Sequence, residues 1–198
     1  MRHVVFDIGN VLVRWDPHRA FLPELGSREA VEAFLARIGF AALNLRADAG
    51  ARFADLAQEI AEPGDRALFL RYLSRYALTI EEAIEGTWAL LGQVGARGHG
   101  VHAITNWSAE TWPAGLAAHP RLGTAFGVTI VSGREGLVKP DPAIFALLCR
   151  RAGCAPGDCL FVDDSAANVE GARTAGMDAV RFTDAPALRA ALQDRGLL

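Results

Sequence analysis

Five short apolar runs punctuate the chain: Val4-Val5-Phe6, Val101 to Ile104, Val128 to Val131, Leu160 to Val162 and the weaker Ala179 to Phe182. Each is bounded by glycine or polar residues and is too short for a stable helix. Stretches with helical spacing alternate with them, at about 108–118, 141–152, 166–175 and 186–195. Short buried strands alternating with helices imply a parallel sheet whose strands are joined by crossover helices. The punctuation agrees. Pro140 and Pro142 stand where the second helix opens, and Gly176 follows the third, as helix starts and stops prefer.

Residues 15–91 break the alternation. No strand is evident there, and Ser27 to Ile38, Ala51 to Glu62 and Asp65 to Tyr76 carry helical spacing of apolar residues. In the last, Leu68, Phe69, Tyr72, Leu73 and Tyr76 share one stripe. Ser27, with Glu29 and Glu32 behind it, supplies N-terminal helix chemistry. The expected organisation is an α/β core from residues 1–14 and 92–198. An all-helical segment, 15–91, is inserted after the first strand.

Composition removes several classes. The 198 residues are 51% hydrophobic and 22% charged, with a net charge of -3, which suits an ordinary globular protein. There is no basic stripe of the kind a nucleic-acid binder shows, and no apolar run of the roughly 18 residues a membrane span needs. MRHVVFD turns acidic at its seventh residue, unlike a secretory signal. Cys149, Cys154 and Cys159 are spaced five apart, matching neither a CxxC metal pattern nor an even disulfide set, so free thiols in a reducing cytoplasm are expected. Of 20 basic residues, 19 are Arg and one is Lys139.

Three runs end in polar residues: Asp7 with Gly9-Asn10, Thr105-Asn106-Trp107-Ser108, and Asp163-Asp164-Ser165. Open parallel sheets bind ligands outside the carboxyl ends of their strands, so these segments are expected to converge. Three gathered carboxylates repel one another unless a cation offsets them. Mg²⁺ suits such oxygen ligands and is commonly held by one or two carboxylates plus a phosphate.

The segments FDIGNVL, ITNWS, LVKPDP and FVDDSAAN, in this order and spacing, resemble the four motifs of the haloacid dehalogenase-like (HAD) hydrolase superfamily. The helical insert after the first motif looks like that family's small helical cap. The resemblance covers essentially the whole chain and is similar to the branch of glucose-1-phosphate phosphatases with a DxGN first motif. It implies a Rossmann-like five-stranded core and a phosphatase acting on a small phosphorylated metabolite such as a sugar phosphate. Asp7 would be the nucleophile. Asp7, the Gly9 carbonyl and Asp164 would bind Mg²⁺, with Asp163 and Asn168 holding its water. Thr105, Asn106 and Asn10 would meet the phosphoryl group, and Trp15 would line the substrate cavity. Lys139 would offset the developing charge as a compact ammonium rather than a planar guanidinium.

One departure matters. The family's usual first motif is DxD, whose second Asp protonates the leaving oxygen, and here that position is Gly9. A good leaving group, such as a sugar 1-phosphate, would remove the need for it. Otherwise an insert residue would supply the proton, Asp16 and His18 being nearest in sequence. The rivals are a 2-haloacid dehalogenase, which uses the same nucleophile without metal, and a non-catalytic phosphometabolite-binding protein. Trp107, Arg37 and Arg46 are weaker cavity candidates, Trp88 is assigned to the core, and SGREG (132–136) reads as a loop. The chain is expected to be a monomer or homodimer.

Overall fold

The computed structural model describes residues 3–198. Five strands, β1 His3–Phe6, β2 Gly100–Thr105, β3 Val128–Val131, β4 Cys159–Asp163 and β5 Asp178–Arg181, form one sheet in the order β3-β2-β1-β4-β5. All four pairings are parallel, with Val4 beside Val101 and Leu160. The α-helices are α1 Leu22–Leu25, α2 Arg28–Ile38, α3 Phe40–Asp48, α4 Phe53–Ala57, α5 Pro63–Arg75, α6 Glu85–Ala96, α7 Trp112–Ala118, α8 Ser132–Glu135, α9 Pro142–Ala152, α10 Ala166–Thr174 and α11 Ala185–Gln193. The chain is therefore α/β, with the five-stranded sheet expected from the apolar runs. No helix among the described residues is long and apolar enough to cross a membrane.

Side chains on a strand alternate between faces, and the strands use the alternation to build two cores. Val5, Ile104, Cys159 and Phe161 pack with Phe145, Leu148 and Val169 of α9 and α10. Val4, Phe6, Ala103, Leu160 and Val162 face the other way, onto Trp88, Leu91 and Val94 of α6 and Leu188 and Leu192 of α11. This second cluster continues without a break into Phe21, Phe34, Phe53 and Tyr72 of the segment between β1 and β2.

Local chemistry sets the helix ends. The Ser27 hydroxyl accepts from Ala30 N at 3.1 Å, Asp141 from Ala143 N at 2.8 Å and Asp184 from Ala187 N at 2.8 Å. Gly39 and Gly153 close α2 and α9 in the left-handed conformation, where a side chain would be strained.

The chain leaves and re-enters the sheet region along an antiparallel ribbon. Arg14 N donates to Glu82 O (2.9 Å), Asp16 N to Thr79 O (2.8 Å) and Ile84 N to Leu12 O (2.8 Å). The expected boundary at 91/92 falls inside α6. That helix packs on β2 and α11, and Trp88 Nε1 donates to Leu12 O at 3.0 Å. Helical spacing over 51–62 resolves into α4 alone, and SGREG is a one-turn helix, α8, closed by Gly136 at φ 66°.

Candidate active site

The carboxyl ends of β1, β2 and β4 open into a cavity of about 190 Å³. Its lining includes Asp7, Gly9, Asn10, Trp15, Thr105, Asn106, Lys139, Asp164 and Asn168. Thus segments separated by up to about 160 positions meet where β1 hands over to β2 on one side and β4 on the other, as the switch-point rule requires.

Lys139 organises the floor. Its ammonium, 2% exposed, lies 2.8 Å from Asp7 Oδ1 and 2.7 Å from Asp163 Oδ2, and donates to Ile104 O at 3.0 Å. Three acceptors around one nitrogen match the three protons of an ammonium. Burial alone would lower its pKa, but Asp7 and Asp163 outweigh that and hold it above the ordinary lysine value. Asn106 fixes the backbone beneath it, donating from Nδ2 to Lys139 O (3.0 Å) and accepting from Lys139 N (2.8 Å).

Asp7 N donates to Val162 O at 2.8 Å, and Asp7 Oδ1 accepts from Ile8 N at 2.7 Å. Burial pushes its carboxyl up, with Asp163 and Asp164 adding to the rise against the pull of Lys139. Asn10 takes φ 56°, a left-handed conformation that asparagine tolerates. Its Oδ1 accepts from Trp15 N at 3.0 Å, tying the first-motif loop to the outgoing chain. Trp15 Nε1 donates to Tyr72 Oη at 3.1 Å.

Two of the expected site residues are engaged by Lys139. Asp163 is 0% exposed and does not line the cavity. Its oxygens accept from Lys139, from Ser165 N at 2.8 Å and from Asn168 Nδ2 at 3.1 Å, so it orients these neighbours from beside the Asp7 and Asp164 carboxylates. The Asn106 amide spends one of its two N–H donors and its oxygen on Lys139, and lines the cavity beside it.

Asp16 and His18 also lie off the cavity. Asp16 caps the 3₁₀ turn Pro17–Ala20, accepting from His18 N at 3.1 Å, and pairs with His18 and Arg28. Arg37 and Arg46 form surface pairs with Asp65 and Glu59. Trp107, buried between Tyr76 and Trp112, does line the cavity.

The sequence reading missed Asp48. The last residue of α3, it lines the cavity with Asn44, Thr111 and Tyr76. Asn44 Nδ2 donates to its Oδ2 at 3.0 Å. Burial pushes this carboxyl up to about 7, against the pull of Ser108 N–H and Lys139. Ser132 holds its backbone: the hydroxyl donates to Asp48 O at 2.6 Å and accepts from Trp107 N at 2.9 Å.

The donor set suits a hard divalent cation. Carboxylate oxygens of Asp7, Asp163 and Asp164 lie within 4.8 Å of one another. Among the described residues one ammonium, that of Lys139, pairs with Asp7 and Asp163, so negative charge is left over at Asp164, whose carboxyl is raised by burial and by Asp163. All-oxygen ligation with spare negative charge is what Mg²⁺ prefers.

Residues 1–176 match the family model described as haloacid dehalogenase-like hydrolase. The chain belongs to that family. Among curated relatives, a phosphoglycolate phosphatase of Pseudomonas putida is 32% identical over 192 residues, covering 92% of this chain and 69% of the relative. Flavin mononucleotide hydrolase 1 of Arabidopsis thaliana is 31% identical over 114 residues, 58% of this chain and 46% of the relative. This chain spans about half the length of the first relatives it matches. A HAD-family enzyme of Bacteroides thetaiotaomicron, solved with magnesium and inorganic phosphate, superposes with TM-score 0.70 at 21% identity, covering 93% of this chain and 95% of that one. The L-2-haloacid dehalogenase of Xanthobacter autotrophicus superposes with TM-score 0.63 at 20% identity, covering 92% and 77%. Both share the fold.

Proposed function

We propose that this HAD-like hydrolase is a Mg²⁺-dependent phosphatase that hydrolyses a small phosphorylated metabolite through an aspartyl-phosphate on Asp7. The observation that carries this reading is the pairing of a buried ammonium with a carboxylate cluster at one strand-end cavity. The phosphatase names among the relatives support it. Asp7, Asp164 and the Gly9 carbonyl would hold the metal, with Asn168 beside them; when bound, Mg²⁺ offsets the repulsion between the carboxylate and a phosphate dianion.

Lys139 and Ile8 N both engage Asp7 Oδ1, which leaves Oδ2 to attack phosphorus. The Asp7–phosphorus bond forms as the bond to the leaving oxygen breaks. Thr105 and Lys139 stabilise charge on the transferring group. In place of the acid missing at Gly9, Asp48 gives its proton to the leaving oxygen. Its carboxylate then takes a proton from the water that attacks the phosphoryl group. Phosphate leaves and Asp7 is regenerated. A carboxyl near pH 7 suits both transfers. The segment bearing Asp48 acts as a cap that shields the site from bulk water.

The small cavity, with Val13, Ile80 and Trp107 beside Asn44 and Thr111, supports a compact polar substrate such as a sugar phosphate. A panel of phosphorylated metabolites, with p-nitrophenyl phosphate, assayed with and without Mg²⁺ tests the proposal. Hydrolysis abolished by EDTA and restored by Mg²⁺ is expected. Chloride release from a 2-haloacid with no phosphatase activity would overturn it.

A further inference from the structure

Cys149, Cys154 and Cys159 have no place in the reaction, yet the fold brings them together. Cys149 sits in the last turns of α9, facing the sheet. Gly153, at φ 65°, reverses the chain, so that Cys154 N donates to Cys149 O at 3.1 Å. The 3₁₀ turn Pro156–Asp158 then delivers Cys159 as the first residue of β4. One sulfur thus comes from a helix, one from a turn and one from a strand. All three lie within 4.8 Å of one another, with Cys154 Sγ and Cys159 Sγ 3.5 Å apart. All three are free thiols.

These separations fit metal ligation. Zn–S bonds of roughly 2.3 Å in a tetrahedron put the sulfurs about 3.8 Å apart. A disulfide needs roughly 2.05 Å. Cys149 and Cys159 are buried, and half-buried Cys154 gives an ion a route from solvent.

We propose that Cys149, Cys154 and Cys159 form a three-thiolate site for Zn²⁺, with water in the fourth position on the Cys154 side. Sulfur ligands select soft ions over Mg²⁺, so this site and the carboxylate cluster sort two cations by chemistry. Charge favours a divalent ion. Three thiolates and Zn²⁺ leave a net -1 among Ile144, Phe145 and Met177, whereas Cu⁺ would leave -2. Zinc binds the thiolate form, so it displaces the thiol protons and binds more tightly as pH rises. The site pins the α9–β4 connection at the opposite end of β4 from Asp163. It is independent of the phosphatase proposal.

Co²⁺ is the probe, titrated into the full-length protein under a phosphine reductant with excess Mg²⁺ present. The expected result is a thiolate-to-cobalt charge-transfer absorption that saturates at one Co²⁺ per chain and is displaced by Zn²⁺. It should vanish in Cys154→Ser and Cys149→Ser and persist in Asp7→Asn. No such band in the wild-type protein at saturating Co²⁺ would overturn the proposal without any variant. An undiminished band in a folded Cys154→Ser protein would overturn it too.

Discussion

Lys139 Nζ has three protein oxygens around it within 3.0 Å, in a pocket that leaves it 2% exposed. A guanidinium is broader and presents a planar fork, so it cannot reach Asp7, Asp163 and Ile104 O from one point. Lys139→Arg is expected to lower kcat/KM by roughly 100-fold, because the preorganised charge at the phosphoryl group is displaced. Wild-type kinetics in that variant would make the single lysine an accident of composition. That residue was legible in the sequence because it broke a strong arginine bias. Asp48 was not. An acid near a helix end reads as a solvated residue, and only the three-dimensional path of α3 brings it over Asp7. As the proton donor, Asp48 must be protonated, so activity on alkyl phosphates should fall as pH rises through about 7. Asp48→Asn should lower kcat/KM by about 100-fold or more on alkyl phosphates but little on p-nitrophenyl phosphate, whose leaving group needs no proton, while kcat falls for both because water attack on the Asp7 phosphoryl group loses its base. Equal losses in kcat/KM would assign Asp48 a different role. In Asp48→Asn, stability should rise where activity falls. A carboxyl raised from 3.8 to about 7 on folding binds its proton more tightly in the native state, so its contribution is present at low pH and lost as pH rises through about 7. The Asn variant should therefore melt higher than wild type at pH 8.

The helix α8 joins the second-motif loop to the end of α3. A Cβ at Gly133 would lie 2.5 Å from Ala109 N and 2.9 Å from Trp107 O, both backbone atoms that cannot step aside. Gly133→Ala should destabilise the protein by about 1–3 kcal/mol, read by denaturant unfolding, and weaken activity by shifting Asp48. An unchanged midpoint would mean the loop relaxes freely. The strands were legible because each is a short apolar run with clear stops. The short helix was not, since one turn carries no periodicity. The start of the sheet-packed region was also hidden. In α6, Trp88, Leu90, Leu91 and Val94 are buried while the exposed side is mostly Gly and Ala, with Gly86, Ala89, Gly92 and Ala96, so little polar contrast marks the helix in the sequence.

At the scale of the molecule, one apolar cluster runs from the sheet through α6 into the insert, while the ribbon at 12–16 and 79–84 carries the chain across. The order of motifs already implied that strand ends would converge. Which insert residue would face Asp7 depended on packing that no spacing encodes. The most direct measurement is acid quenching during turnover, followed by mass spectrometry of the peptide containing Asp7. One phosphoryl group on Asp7, absent in Asp7→Asn, is the expected result. Steady turnover with no phosphorylated Asp7, or full activity in Asp7→Asn, would contradict it.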